Sequence, residues 1–447
     1  TSTLASDRWP ILHSALESWL QDRISSASFR FDRSGGLTDQ EKTNRLLDGC
    51  SMSDLMAEKN LNDRELYNVF LAKGKYLMTV IESRIQEDNF DQDLLDFIKE
   101  NKFSTITEKE FLQFLYAYKE FDLAPLMTAW YEETQVPAFT VGATDMYSVQ
   151  DGEKKQTHIR LPLTNISETE GIVQIRVMTA NSKSKGYGGN LWETQSTVII
   201  PPKTTKEVGF LLDTRPVFLT LDTTISRNIP AAMNMNLWQQ KVKEGETFFE
   251  GERSAPFKQD RPDSGEFIVD NEDPGFALIG GGGDNWIRST IRRLFNSSGT
   301  ETDYLDYNPT NPPGRWSPVI LQDFYGKVIR SGYMIKVGEG GNKVSWTAAL
   351  LESGSYDIYF YNETASFAKG GDKGGWKRPT QEEKHFIVHY EDGTEEIVFD
   401  IRESSQGWVL IGTFRLTAGT NTIEQTDKGK GTFLTADAVK WVKSVTN

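Results

Sequence analysis

Apolar positions along this chain change period twice, and the changes divide it. From residue 1 to 134 the spacing is helical. Leu12, Leu16, Trp19 and Leu20 share one face after Pro10, a residue suited to a helix start. Leu66, Val69, Phe70, Leu77, Val80 and Ile81 form a second stripe, and Leu94, Leu95, Phe97 and Ile98 a third. Thr107 and Glu110 make a capping-box pattern ahead of Phe111, Leu112, Phe114 and Leu115. Asp122 opens a last short helix reaching Trp130. Stripes of this kind pack on other helices, so an N-terminal helical bundle is expected.

At Pro137 the period drops to two. Residues 158–163 and 172–177 alternate, and 197–200 and 208–212 are further short strands, punctuated by Pro201-Pro202 and Pro216. This spacing predicts a small antiparallel β-sandwich over 135–230. Residues 231–263 begin with Met233, Met235, Leu237 and Trp238 and then turn polar, which reads as a linker. Residues 264–447 are rich in strands, glycine and aromatics, with strands at 344–349, 356–361, 386–390, 396–399 and 408–411. Asp392-Gly393 marks a hairpin turn. A closing strand near 436–439 is expected to pair near the first, at Phe267.

The 447 residues suit about three domains, and 37% hydrophobic content supplies several cores. A formal net charge of −15 repels phosphate backbones, which argues against nucleic acid and anionic membrane as partners. No apolar run is long enough for a transmembrane segment. The single cysteine, Cys50, excludes an internal disulfide. The sequence opens at Thr1, and a piece of a longer exported protein is expected.

Catalytic signatures are missing. The four histidines, His13, His158, His385 and His389, include no H-E-x-x-H pair. His385 and His389 fall on one predicted strand, roughly 13 Å apart along it, too far for one metal. There is no G-x-S-x-G elbow, and Gly280 to Gly283 lacks the Gly-Lys-Ser/Thr of a phosphate loop.

Two stretches resemble known families. Residues 68–78, 90–95, 107–112 and 122–131 are similar to the end of the catalytic domain of zinc aminopeptidases of the H-E-x-x-H…E family, with Val136-Pro137 entering a small β-domain. In that family Lys-Gly, here Lys73-Gly74, opens a helix, and a catalytic Tyr precedes it by two residues. This chain has Leu71 at that position, with Tyr67 one turn earlier, and no zinc-binding helix. The resemblance therefore implies a scaffold without its metal half.

The second resemblance spans 266–445. Residues 267–276, 344–347, 354–359, 407–414, 418–420 and 436–441 look like the golvesin C-terminal domain, a label shared with secreted bacterial proteins called xanthan lyases. It implies a galactose-binding-like jelly roll and export to periplasm, outer surface or medium. The expected fold class is multidomain α + β: helical bundle, small antiparallel sandwich, linker, and jelly roll over 264–447. The expected function is a non-catalytic module that binds polysaccharide or cell-surface glycan. The alternative is a fragment of a polysaccharide lyase, or of a zinc peptidase whose metal half lies upstream.

Sugar rings stack on exposed aromatics with polar rims. Two loops fit: one with Tyr304, Asp306, Tyr307, Arg315 and Trp316, the other with Trp376 between Gly375 and Lys377. Tyr356, Ile358, Phe360, Trp408 and Phe414 read as core. Related jelly rolls often carry a structural calcium, and Asp270, Glu272, Asp273 and Asp437 would supply oxygens if the first and last strands are adjacent. Asp273-Pro274-Gly275 is also strong turn chemistry by itself. No other cofactor is expected.

Overall fold

The computed structural model describes residues 3–9, 11–24, 36–58, 61–87, 89–118, 120–179, 194–238, 240–245, 247–257, 265–280, 304–363, 379–402 and 404–444. The chain divides into two compact units, Thr1–Asp32 with Asp39–Lys258, and Arg33–Thr38 with Gln259–Asn447. It is mostly β, with seven helices among the described residues and several antiparallel sheets. No described helix is long and apolar enough to cross a membrane.

The first unit begins with β1 (Thr3–Ala5), α1 (Leu12–Ile24), α2 (Asp39–Leu47), α3 (Met52–Ala57), α4 (Asp63–Ile85), α5 (Phe90–Glu100), β2 (Thr105–Thr107), α6 (Glu108–Tyr116) and α7 (Leu123–Glu132). The expected stripes form one core, in which Leu12, Leu16, Trp19, Val69, Leu77, Ile81, Leu94, Phe111 and Trp130 are buried. The capping box at α6 is present: the Glu110 amide donates to Thr107 Oγ1 at 3.3 Å and the Thr107 amide to Glu110 Oε2 at 2.7 Å. At α7 the Ala124 amide donates to Asp122 Oδ1 at 3.0 Å.

Lys73 and Gly74 do not open a helix. They sit in the middle of α4, whose start is capped by Asn62 and Glu65. A Cβ on Gly74 would stand 2.8 Å from the backbone of Ala15, so glycine lets α1 lie directly on α4. Lys73 is buried, and its ammonium donates to the Trp130 carbonyl at 2.7 Å. A cleft of about 200 Å3 lies beside Leu71, among α1, α2 and α4. Tyr67 is 44% exposed and donates to Glu17 at 3.3 Å.

The strands of this unit are β3 (Phe139–Val141), β4 (Asp145–Asp151), β5 (Lys154–Asn165), β6 (Gly171–Thr179), β7 (Thr194–Ile200), β8 (Thr204–Leu212), β9 (Pro216–Asp222), β10 (Ala232–Asn236), β11 (Val242–Glu244) and β12 (Gly251–Ala255). They form two sheets, β10-β9-β6-β7 and β11-β4-β5-β8-β12 with β3 on β5. Their apolar faces share one core of Ile159, Leu161, Ile175, Val177, Val208, Leu219 and Leu221. Here the linker expectation for 231–263 needs correcting: β10, β11 and β12 extend these sheets at their edges. Polar α2 docks on the same sandwich, with the Ala231 amide donating to the Glu41 carboxylate at 2.9 Å.

The second unit contains β13 (Glu266–Val269), β14 (Phe276–Ile279), β15 (Ser317–Ile320), β16 (Ser331–Lys336), β17 (Lys343–Leu350), β18 (Gly354–Asn362), β19 (Gln381–Tyr390), β20 (Gly393–Asp400), β21 (Gly407–Leu416), β22 (Gly419–Gly431), β23 (Phe433–Ala436) and β24 (Val439–Lys443). Three antiparallel sheets result: β13-β24-β18-β21, β14-β17-β22-β19-β20 and β15-β16-β23. Trp346, Tyr356, Ile358, Phe360, Phe386 and Trp441 fill the core. The Asp392-Gly393 turn joins β19 to β20 as expected, with Gly393 at φ 142°. The last strand does pair with the first, Val439 opposite Val269.

Candidate functional site

Strand alternation decides which aromatics can meet a ligand. β18 buries Tyr356, Ile358 and Phe360, so Tyr359 and Tyr361 point to the opposite face of the sheet. Register places Tyr361 opposite Trp408 on β21 and Tyr359 opposite Lys440 on β24. Tyr325 is added from the loop between β15 and β16, its amide donating to Asp437 Oδ2 at 2.7 Å. Tyr325, Tyr361 and Trp408 then form a half-buried triangle with ring centroids 5.1 to 5.4 Å apart. The Lys440 ammonium lies 5.0 Å from the Trp408 ring and 5.3 Å from the Tyr359 ring, and 3.2 Å from Glu266. These are cation–π distances.

Polar groups border the triangle. Arg330 donates to the Gln322 carbonyl at 3.0 Å, and burial lowers its pKa. Burial raises the Asp323 carboxyl, with Glu363 adding to the effect. Burial, helped by Asp270, Asp273 and Asp437, pushes the Tyr325 phenol up to about 12. Burial and then Asp437 also raise Tyr361, so both tyrosines present neutral hydroxyls at neutral pH. The patch offers flat apolar ring faces, phenolic hydroxyls and an ammonium within one sheet face.

The loop aromatics expected to stack on sugar do something else. Trp316 is 6% exposed and belongs to the core, and Tyr304 is 7% exposed with its hydroxyl donating to Glu272 at 2.9 Å. Tyr307 packs edge-on against Phe324 and Phe433. None of the three is a platform, because their rings satisfy the sandwich first. Asp306 accepts the Gly36 amide at 2.6 Å, and Arg315 is exposed. Trp376 lies outside the described residues. Trp408, read as core from sequence, is the half-exposed one.

The four carboxylates gathered for calcium are divided among other tasks. Glu272 accepts the Tyr304 and Ser331 hydroxyls, the latter at 2.5 Å. Asp273 Oδ2 accepts the Asp270 amide at 2.9 Å, Asp270 Oδ1 accepts the Asn271 amide at 2.8 Å, and the Asp273 amide closes a turn on the Asp270 carbonyl at 3.0 Å. Among the described residues no three carboxylates, imidazoles or thiols come together as a metal-ligand group, and Asp437 Oδ2 accepts the Tyr325 amide at 2.7 Å. His385 and His389 are held separately, His385 between Glu383 and Glu396 at 3.0 and 2.8 Å, His389 by Glu424 at 3.2 Å.

Residues 302–443 match the Golvesin C-terminal domain family. No curated protein matches the chain. Among solved structures it is similar to a Paenibacillus xanthan lyase, at 15% identity over 68% of this chain and 26% of that one, TM-score 0.28. It is similar to Legionella pneumophila aminopeptidase A, at 17% identity over 43% and 23%, TM-score 0.22. A third similarity is to an exo-β-1,3-galactanase of Phanerochaete chrysosporium in complex with β-1,3-galactotriose, at 8% identity over 67% and 68%, TM-score 0.23. The chain spans about a quarter of the length of the xanthan lyase it matches.

Proposed function

We propose that the second unit is a glycan-binding module, a galactose-binding-like jelly roll carried by an exported protein, and that it binds polysaccharide on the face formed by Tyr325, Tyr359, Tyr361, Trp408 and Lys440. One observation carries the reading. Three aromatic rings stand together, half-exposed, on the outer side of a sheet whose inner side already holds the core. Packing does not require them there, and a pyranose ring has the flat CH face that such rings accept. The Golvesin match over 302–443 agrees with a glycan-related role and supports the expectation of export. The whole protein's activity is part of the proposal.

A glycan array probed with the full chain, its Trp408→Ala variant and its Tyr361→Ala variant tests this. Wild type is expected to bind at least one polysaccharide class, and both variants to lose it. Failure of wild type to bind any glycan would reject the module reading. Release of an unsaturated sugar product from a uronate polysaccharide would replace it with the lyase reading.

A further inference from the structure

The outer side of the sheet β13-β24-β18-β21 is ordered in rows by register and alternation. One row runs Ile268, Lys440, Tyr359, Leu410, and the next runs Glu266, Val442, Asp357, Thr413. Tyr361 and Trp408 pair on the other side of the first row. The rings are therefore bordered along one side by two carboxylates, with Lys440 between.

The Lys440 ammonium is already engaged. It donates to Glu266 Oε1 at 3.2 Å, and the Trp408 and Tyr359 ring centroids lie 5.0 and 5.3 Å away. An ammonium has three N–H bonds, and one carboxylate and two rings surround it here. Both side chains are largely covered, Lys440 to 14% exposure and Glu266 to 22%. Arg330, at the edge of the ring triangle, is engaged as well, donating to the Gln322 carbonyl at 3.0 Å beside Asp323. Asp357 is half-exposed and accepts the Thr413 hydroxyl at 2.5 Å.

A sugar carboxylate stacked on these rings would meet Glu266 and Asp357 as like charges. To reach Lys440 it would also have to displace Glu266, leaving a partly covered carboxylate uncompensated. An uncharged pyranose meets neither obstacle, since ring faces and hydroxyls suffice to hold it. We propose that this face selects uncharged polysaccharide over uronate polymers, and that Glu266 enforces the selection by holding Lys440. This selection rests on the glycan-binding reading of the same face. Glu266 acts through Lys440 and is a positioning residue.

Affinity electrophoresis of the full chain tests it, with neutral glucan, galactan, mannan and xylan set against polygalacturonate and alginate. Each is run at about 10 mM and about 1 M salt, where charges are felt over about 30 Å and about 3 Å. Wild type is expected to be retarded by at least one neutral polymer, and at least about tenfold more weakly by either uronate polymer at low salt. Glu266→Gln keeps an acceptor for Lys440 and removes the charge. It is expected to gain at least about tenfold in uronate affinity at low salt and to lose that gain at high salt, which the loss of a merely structural ion pair would not produce. Wild type that binds a uronate polymer as well as the neutral ones, or better, overturns the inference and leaves the glycan-binding reading standing. A folded Glu266→Gln without the gain also overturns it. Retardation by no polymer of either class rejects both. If Glu266→Gln does not fold, Asp357→Asn is read in its place for a gain of the same sign, and the preference of wild type still decides.

Discussion

Lys73 makes the sharpest stability prediction. The residue is 6% exposed, and its ammonium donates to the Trp130 carbonyl at 2.7 Å and lies 4.9 Å from the Trp130 ring centroid. It thereby serves the last turn of α7, where a positive charge suits the helix dipole. Burial nevertheless lowers its pKa to about 8 from 10.5, with Glu133 opposing. The folded chain holds this proton less tightly than the unfolded chain. Between the two values the unfolded state carries more protons, so the unfolding free energy rises with pH. At about 1.4 kcal/mol per pKa unit, the gain across that window is about 3 kcal/mol. Lys73→Met keeps the length of the side chain and removes the titration. Every described helix lies in the first unit, so ellipticity at the helix band reports its unfolding in urea. Half-buried Tyr76 acts in the opposite sense at high pH, but it is present in both proteins and cancels in their difference. The stability of wild type relative to Lys73→Met is expected to rise by about 3 kcal/mol from about pH 7 to about pH 10.5. Parallel curves, with a gap constant to about 1 kcal/mol, would refute the argument that burial depresses this ammonium.

Two further substitutions test the packing. Gly74→Ala adds a Cβ 2.8 Å from Ala15 backbone, so overpacking of about 1–3 kcal/mol is expected to outweigh the ~1 kcal/mol gained in helix propensity, read as a lower urea midpoint. A variant more stable than wild type would mean that α1 and α4 can move apart easily. Trp316→Ala should destabilise the second unit by about 3 kcal/mol, since it empties a core position, yet leave glycan binding by the folded fraction unchanged. Loss of binding with intact stability would return Trp316 to the surface role expected from its loop.

Legibility followed the physics of burial. Helix stripes and the inward Tyr356, Ile358 and Phe360 came from periodic apolar signals, the Thr107–Glu110 box and the Asp392-Gly393 turn from local capping and turn chemistry, and the structure contains them all. Helix α2 escaped because its buried face is mostly polar, Glu41, Thr43 and Asn44 beside Leu47, with Glu41 and Asn44 hydrogen-bonded to the backbone of Ala231 and Thr224. Strands β11 and β12 escaped because edge strands are held by backbone pairing and need no apolar alternation. The loop aromatics Tyr304 and Trp316 sat among prolines and polar residues, which suggests exposure, whereas tertiary packing buried them. The outward parity of Tyr359 and Tyr361 was already implicit once Tyr356 was placed inside. Their partner Tyr325 was not legible, because only the fold brings its loop to that face.

The most direct measurement is affinity electrophoresis of the full chain against soluble polysaccharides, with Trp408→Ala and Trp316→Ala alongside wild type. Stacking on the outer face predicts retardation of wild type by a polysaccharide. It also predicts an affinity at least about tenfold weaker for Trp408→Ala, equivalent to ~1.4 kcal/mol, and undiminished binding by folded Trp316→Ala. Equal retardation of wild type and Trp408→Ala would contradict the account.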